Sequence, residues 1–348
     1  MIEEHAQYPA RHHLRVLVTP GLSLLYFLWG SNDPFVGLSF ILGSVTLDYF
    51  AEKSGEELGS PNEDFSALHF SLILYALFVL YWVNLYLALS WFTEVGVLKI
   101  NSIFIFYMLF LSGGISGPVT GHELTHRRSS IEHWMGRLLY CGFLHDHWWV
   151  DHIGSHHRYF GMARDPSTAR LDETLPQYFL RLFPSQARSA WSIELKKHKH
   201  KSLFAQFFHN TLIWGLLIEI GLLWAVYNVF GFMGLALFVS QSIILMLALH
   251  TVNFFQHWGL VRTDQNSQGT WDSNHRATLF SMLGLLRHAD HHRNVSKPYH
   301  QLSYVPNSPK MPFGFGAMII LSIFKPKRFN TLMRAELERL NLLIETES

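Results

Sequence analysis

Apolar runs too long for the interior of a small soluble domain constrain this chain more than any other feature. A helix crossing the hydrocarbon layer of a bilayer needs roughly 20 apolar residues. Four stretches reach that length, Leu68 to Trp91, Asn101 to Gly121, Phe204 to Phe230 and Gly231 to Phe255. Two shorter runs precede them, Val16 to Trp29 and Pro34 to Phe50, separated by Gly30, Ser31, Asn32 and Asp33. So short a connection of turn residues predicts an antiparallel hairpin. The expected fold is an all-α polytopic membrane protein with about six transmembrane helices in three hairpins, 16–50, 68–121 and 204–255. It falls to four spans if the first pair does not cross.

The distribution of positive charge tests that topology, because Lys and Arg near span ends collect on the cytoplasmic side. With six spans, one side receives the N-terminus, residues 51–67, residues 122–203 and everything after 255. That side holds every one of the 27 Lys and Arg residues except Lys99. Both termini are therefore expected in the cytoplasm and the protein in the inner (cytoplasmic) membrane. Segments 122–203 and 256–325 then form a cytoplasmic, histidine-rich helical cap, and 1–348 reads as a single domain. The opening MIEEHAQYPARHHLR has no small-residue cleavage site after its first apolar run and reads as a cytoplasmic tail. The cluster LKKHKHK at 195–201 reads as an orientation anchor near anionic headgroups, and residues 329–348 as a short amphipathic packing helix.

Composition narrows the chemistry. Charged residues are 15% of the chain against about 25% in an average soluble domain. A net charge of +1 gives nucleic acid nothing to bind. The single cysteine, Cys141, excludes an intramolecular disulfide or a thiolate cluster. The anomaly is 22 histidines, and most of them lie in the two cytoplasmic segments.

Three clusters stand out: His122 and His126 in GHELTHRR, His152, His156 and His157 in DHIGSHHRYF, and His288, His291 and His292 in RHADHH. A fourth element, NFFQHWGL, supplies His257 where the last span ends. Four-residue spacing puts two imidazoles on one helix face. Nine imidazoles exceed what one metal uses, so two metals are the natural count. Rings without thiolates suit iron, copper, nickel or zinc. HELTH also fits the zinc-protease pattern HExxH with Glu123 as general base, although that site needs only one further ligand and leaves six histidines unexplained. A transporter would hold its ligands near the bilayer midplane, whereas these lie at one face. A haem site would call on His69 and His250, which read as interfacial.

In this order, HELTHRR, DHIGSHHR, NFFQHWGL and RHADHH resemble the integral-membrane alkane hydroxylases and their xylene-monooxygenase relatives, within the membrane desaturase and hydroxylase superfamily. RDPSTAR at 164–170, WDSNHR at 271–276 and VPNSPKMPFGF at 305–315 extend the similarity over about residues 100 to 325. The resemblance implies a non-haem di-iron site with His122, His126, His152, His156, His157, His288, His291 and His292 as ligands and His257 as the ninth. It implies insertion of one oxygen atom of O2 into a terminal alkyl or methyl C–H bond, with electrons from a separate rubredoxin or ferredoxin-type donor. An alkane, an alkyl-aromatic or an acyl chain would serve as hydrophobic substrate. Desaturation of an acyl chain by the same cage stays open. Asp151, Ser155, Gln256 and Trp258 stand where the alkane-hydroxylase branch usually has Glu, Gly, Glu and Tyr.

Each neutral imidazole ligand needs its second nitrogen held. Glu123, Asp151 and Asp290, one residue from ligands, are the expected holders. Arg287 and Arg158 would balance those carboxylates or meet the electron donor. Asp165 reads as a structural ion-pair partner of Arg164 and Arg170. Glu219, an acidic residue deep in the fifth span, is either functional or a bond to a neighbouring helix.

Overall fold

The computed structural model describes residues 7–30, 33–51, 61, 64–96, 99–262, 269–273 and 275–343, with backbone alone at 44–51 and 276–277. The described residues are helical almost throughout and contain no β-strand. The N-terminal run begins as a 3₁₀ turn, Ala10–Leu17, continues as α1 (Val18–Leu25) and ends in a π turn, Tyr26–Gly30. Helix α2 (Pro34–Ala51) follows at once, as the hairpin reading requires.

Among the described residues, three helical runs are long and apolar enough to cross a membrane: Ala67–Val95, Ile100–Thr125 and Thr211–His257. They make this an integral membrane protein. The first is α3 (Ala67–Val95). The second joins α4 (Ile100–Gly114), a π turn (Ile115–Val119) and α5 (Thr120–Thr125). Pro118 cannot donate to the preceding turn, so the helix widens there instead of staying regular. The cap then runs through α6 (Ser130–Cys141), α7 (His147–Asp151), a π turn (His152–His156), α8 (His157–Tyr159), α9 (Leu175–Lys197) and α10 (Leu203–His209).

The third run, α11 (Thr211–His257), is two arms: Gly231 has φ 64° and ψ −166°, a geometry no helix interior contains and only glycine adopts freely. The expected boundary between the fifth and sixth spans falls on this residue. Beyond α11 come α12 (Arg276–Ser281), α13 (His288–Arg293), α14 (Phe315–Phe324) and α15 (Pro326–Arg339). Phe329, Met333 and Leu337, one turn apart on α15, are buried, as an amphipathic packing helix requires; residues 344–348 of that expected tail lie outside the described residues. Four arms thus have membrane length, and the N-terminal pair is shorter.

Two large apolar cores hold the described residues together. One packs α1, α3, α4 and the middle of α11; the other packs α9, the end of α11, α14 and α15. A buried ion pair fastens the cap to the spans: Arg137 grips Asp146 at 2.7 and 3.1 Å and donates to the carbonyl of Thr211 at 3.0 Å. Removing one partner of such a pair costs about 3–5 kcal/mol, because it strands a buried charge. Gly215 allows the approach, since a Cβ there would lie 1.9 Å from an Asp146 carboxylate oxygen.

Candidate metal centre

Four chain segments meet where the spans end and the cap begins. Helix α5 brings His122, and His126 follows at its end. Gly121 and Gly136 let α6 press against the back of α5, for a Cβ at Gly136 would meet the Gly121 carbonyl at 3.0 Å. Helix α7 and the π turn after it bring His152 and His156, with Trp148 stacked on His152 at 4.0 Å between ring centres. The last turn of α11 brings His257. Helix α13 brings His288, His291 and His292, its first turn held by Asp272, which accepts from the backbone N–H of Ala289 at 2.8 Å.

These rings sort into two groups. His122, His126, His152, His157 and His291 form one; His156, His257, His288 and His292 form the other. Within each group, one ring nitrogen from every residue lies within 4.8 Å of all the others. Backbone geometry explains the sorting. On α13 the i and i+4 rings, His288 and His292, share a face, while His291 turns to the other group. In the π turn the residue five positions on comes round to the same face, so His152 pairs with His157 and His156 points away.

Both groups fit a metal by their nitrogen geometry. The Nε2 atoms of His126, His152 and His157 form a triangle with sides of 3.1, 3.2 and 2.9 Å. Three converging imidazole nitrogens cannot satisfy one another with protons, because a ring nitrogen that donates cannot also accept. Donors at about 2.1 Å from a shared cation and roughly 90° apart lie about 3 Å from each other. The second group repeats the spacing, with His288 Nε2 at 3.0 Å from that of His257 and 3.1 Å from that of His292.

In six of these rings burial favours the neutral form that ligation requires. Desolvation, reinforced by neighbouring imidazoles, drives His126, His152, His157, His288 and His292 well below the ordinary histidine value. The same desolvation lowers His291 to about 3. Among the described residues, two rings have their second nitrogen held. His156 Nδ1 donates to Asp165 at 2.8 Å, and His257 Nδ1 donates to the carbonyl of Gly269 at 2.8 Å. Burial alone would raise the Asp165 carboxyl; His156 and the hydroxyl of Thr168 hold it below the usual carboxylate range instead.

The carboxylates expected to hold ligands do other things. Glu123 pairs with Arg127 at 2.9 Å and accepts from the backbone N–H of Tyr299 at 3.3 Å. Asp290 accepts from Asn294, Lys297 and the backbone N–H of Ser303, which ties down the loop after α13. Asp151 is wholly buried, and desolvation lifts it to about 7. Among the described residues, none of the three bonds to a histidine ring.

Asp165 corrects the reading of RDPSTAR. It faces His156, whereas Arg164 stacks on Tyr159 and Arg170 is exposed. The Asp-Pro-Ser-Thr order was the available signal: Asp165 accepts from the N–H of Ser167 two residues on, an Asx turn that aims the other oxygen inward. Arg287 is buried and donates to the Leu302 carbonyl, while Arg158 is exposed over Tyr159. Glu219 accepts from the backbone N–H of Asp146 at 2.9 Å, so it bonds a neighbouring segment. His250 is fully buried, with Nε2 2.8 Å from that of His145.

Comparison with known proteins follows the same residues. The model of the fatty acid desaturase family matches residues 98–316. Alkane 1-monooxygenase 2 of Alcanivorax borkumensis is 32% identical over 229 residues, which cover 62% of this chain and 58% of that protein. Alkane 1-monooxygenase 1 of the same organism is 25% identical over 344 residues, 93% of this chain and 84% of that protein. The xylene/toluene monooxygenase hydroxylase component of Pseudomonas putida is 26% identical over 237 residues, covering 66% of this chain and 63% of that one. Over its better-conserved matches the chain spans about three fifths of the relative's length.

Proposed function

The chain belongs to the fatty acid desaturase family, and from that premise we propose that it is a non-haem di-iron monooxygenase of the alkane 1-monooxygenase kind. It hydroxylates a terminal alkyl or methyl C–H bond of a hydrophobic substrate with O2. The observation that carries this reading is the pair of adjoining histidine groups, five rings and four, each with its nitrogens converging. His122, His126, His152, His157 and His291 would hold one iron; His156, His257, His288 and His292 would hold the other. Bound iron would supply oxygen activation and C–H cleavage, which side chains alone do not provide.

The protein's own part is geometry and exclusion. Asp165 and the Gly269 carbonyl keep the Nδ1 protons of His156 and His257 in place, leaving both Nε2 atoms free to donate lone pairs. Trp148 and Phe160 press on His152 and His292 and fix their ring planes. Rings this deeply buried keep bulk water from the reacting centre. A substrate dissolved in lipid reaches the site from the span ends. Electrons come from a separate rubredoxin or ferredoxin-type protein. The N-terminal helices α1 and α2 cross with the four longer arms, both termini lie on the cytoplasmic side of the inner membrane, and 1–348 works as one domain.

The test is metal analysis of purified protein together with turnover under labelled O2. Two irons per chain and label in the product alcohol support the reading. One zinc and no iron would sink it and revive the HExxH protease. An unlabelled alkene would favour the second reading, desaturation of an acyl chain, which the family's name supports.

A further inference from the structure

Helix α9 has two apolar faces, and only one of them is packed. Leu175, Tyr178, Leu182, Gln186, Ala190 and Glu194 are buried against the cap. The opposite stripe, Leu180, Pro184, Ala187, Trp191 and Leu195, repeats at helical spacing and is exposed, Leu180 at 80% and Trp191 at 47%. Helix α10 continues it with Leu203 85%, Phe204 75% and Phe207 53% exposed. The basic run Lys196, Lys197, Lys199 and Lys201 lies between the two. An apolar surface this extended marks an interaction site.

Depth along the bilayer normal identifies the occupant. Glu194, near the end of α9, accepts the first backbone N–H of α11, that of Thr211, at 2.8 Å. Helix α10 is bound to the same level, since Trp214 Nε1 donates to the Phe208 carbonyl at 2.9 Å. The end of α9 and all of α10 therefore sit where a membrane-spanning arm begins. The outward face of that arm is apolar as well, with Trp214, Leu216 and Leu217 exposed. Exposed tryptophans at this level and lysines beside them are the composition of a helix lying in the interface.

We propose that α9, the basic turn after it and α10 form an in-plane membrane anchor, its apolar stripe seated in the leaflet at which α11 begins and its lysines on anionic lipid headgroups. A groove of about 630 Å³ between Ala187, Arg188, Trp191, Ser192, Leu195 and Lys196 offers a seat beside the charges. The inner face of the same helix grips the loop that aims Asp165: Tyr178 donates to the Ser167 carbonyl at 3.0 Å, and Arg181 to the carbonyls of Pro166 and Thr168 at 2.9 Å each. The anchor thus forms the wall between the lipid and the four-histidine group. It rests on α11 entering the bilayer at Thr211 and not on the reaction, so it survives a failure of the oxygenase reading.

The experiment uses the full chain in lipid nanodiscs with and without phosphatidylglycerol. Spin labels on Leu180→Cys, Trp191→Cys, Phe204→Cys and Phe207→Cys are compared with Ala163→Cys in an exposed loop and Leu216→Cys on the spanning arm. The unaltered protein, whose one cysteine is buried, is the blank. Collisions with oxygen should exceed those with an aqueous nickel complex at all four positions, as at 216, and the reverse should hold at 163. Spin-labelled phosphatidylglycerol should be retained over phosphatidylcholine by up to roughly fivefold for each lysine engaged. Replacing the lysines at 196, 197, 199 and 201 by Gln should abolish that preference. Aqueous collisions dominating at 180 and 191 would overturn the proposal and mark the stripe as a protein-docking face. Equal retention of the two lipids by the unaltered chain would overturn its headgroup part.

Discussion

The two histidine groups are built from the same side chain, yet they are held differently. In the four-ring group every member is buried, and two rings are fixed through Nδ1, one by a carboxylate and one by a backbone carbonyl. In the five-ring group His126 and His157 are partly exposed, and among the described residues no ring nitrogen bonds to a carboxylate or a carbonyl. Its rings are placed by packing, Trp148 on His152 above all. The four-ring group is preorganised by hydrogen bonds, and the five-ring group by shape and by its extra donor. Asp165 would make His156 a stronger donor to a metal held by the first, and the second has the more open side for an incoming molecule.

Ligand deletions break this comparison most severely. His152→Ala and His257→Ala should each cost more than about a hundredfold in activity, above the roughly 10–100-fold typical of residues that only support ligands. Each should lower iron content by one ion per chain while leaving membrane insertion intact. Loss of both ions from either variant would show that the groups are a single cooperative site. Full iron content and turnover in His257→Ala would remove it from the ligand set.

Asp165→Asn comes next. It should weaken metal retention by roughly 10–100-fold, and a chelator titration followed by Mössbauer spectroscopy should show one of two iron environments emptied first. Equal loss from both environments would deny the asymmetry.

Acid probes what the groups share. Rings buried as neutral species bind fewer protons folded than unfolded, so metal-free protein should lose stability as pH falls from about 6.5 toward 3. Each such histidine contributes about 1.4 kcal/mol per pH unit in that window. His13, lowered to about 3 by burial and bonded to Tyr8, lies outside both groups and calibrates the effect. His13→Phe should flatten part of the acid limb in a melting series without changing iron content.

The smallest effect is expected at Glu123. Because its carboxylate is engaged with Arg127 and Tyr299 and not with a ring, Glu123→Gln should lower turnover less than about tenfold, below the usual contribution of a general acid or base. A loss of activity comparable to His152→Ala would restore it as a catalytic base.

Spans and histidine clusters were legible because both are written in local periodicity. Apolar length marked α3, the α4–α5 run and the two arms of α11, and the break fell on Gly231 as expected; it also ran the fifth span back to Phe204, where α10 is a separate helix and Asn210 caps the start of α11. Four-residue spacing marked His122 with His126 and His288 with His292. Spacing could not tell that adjacent His156 and His157 part company, because that depends on a π turn with no signature in HIGSH. Nor could adjacency find the ring holders: Asp165 stands nine positions from His156 and reaches it only after a loop closes. Glu123, Asp151 and Asp290 are near ligands in the chain, but helix geometry points a neighbouring side chain elsewhere.

Glu123 and Tyr299, joined across the site, are 176 positions apart in the chain. At ribosomal rates of about 5–20 residues per second, roughly ten to thirty seconds separate the synthesis of the two. During that interval the first histidine cluster is already at the membrane and the third does not yet exist. Completion of either nest waits for α13, so charging with iron becomes a late event in the birth of the molecule. Cells forced to make the protein faster than they deliver iron should accumulate fully inserted but empty copies.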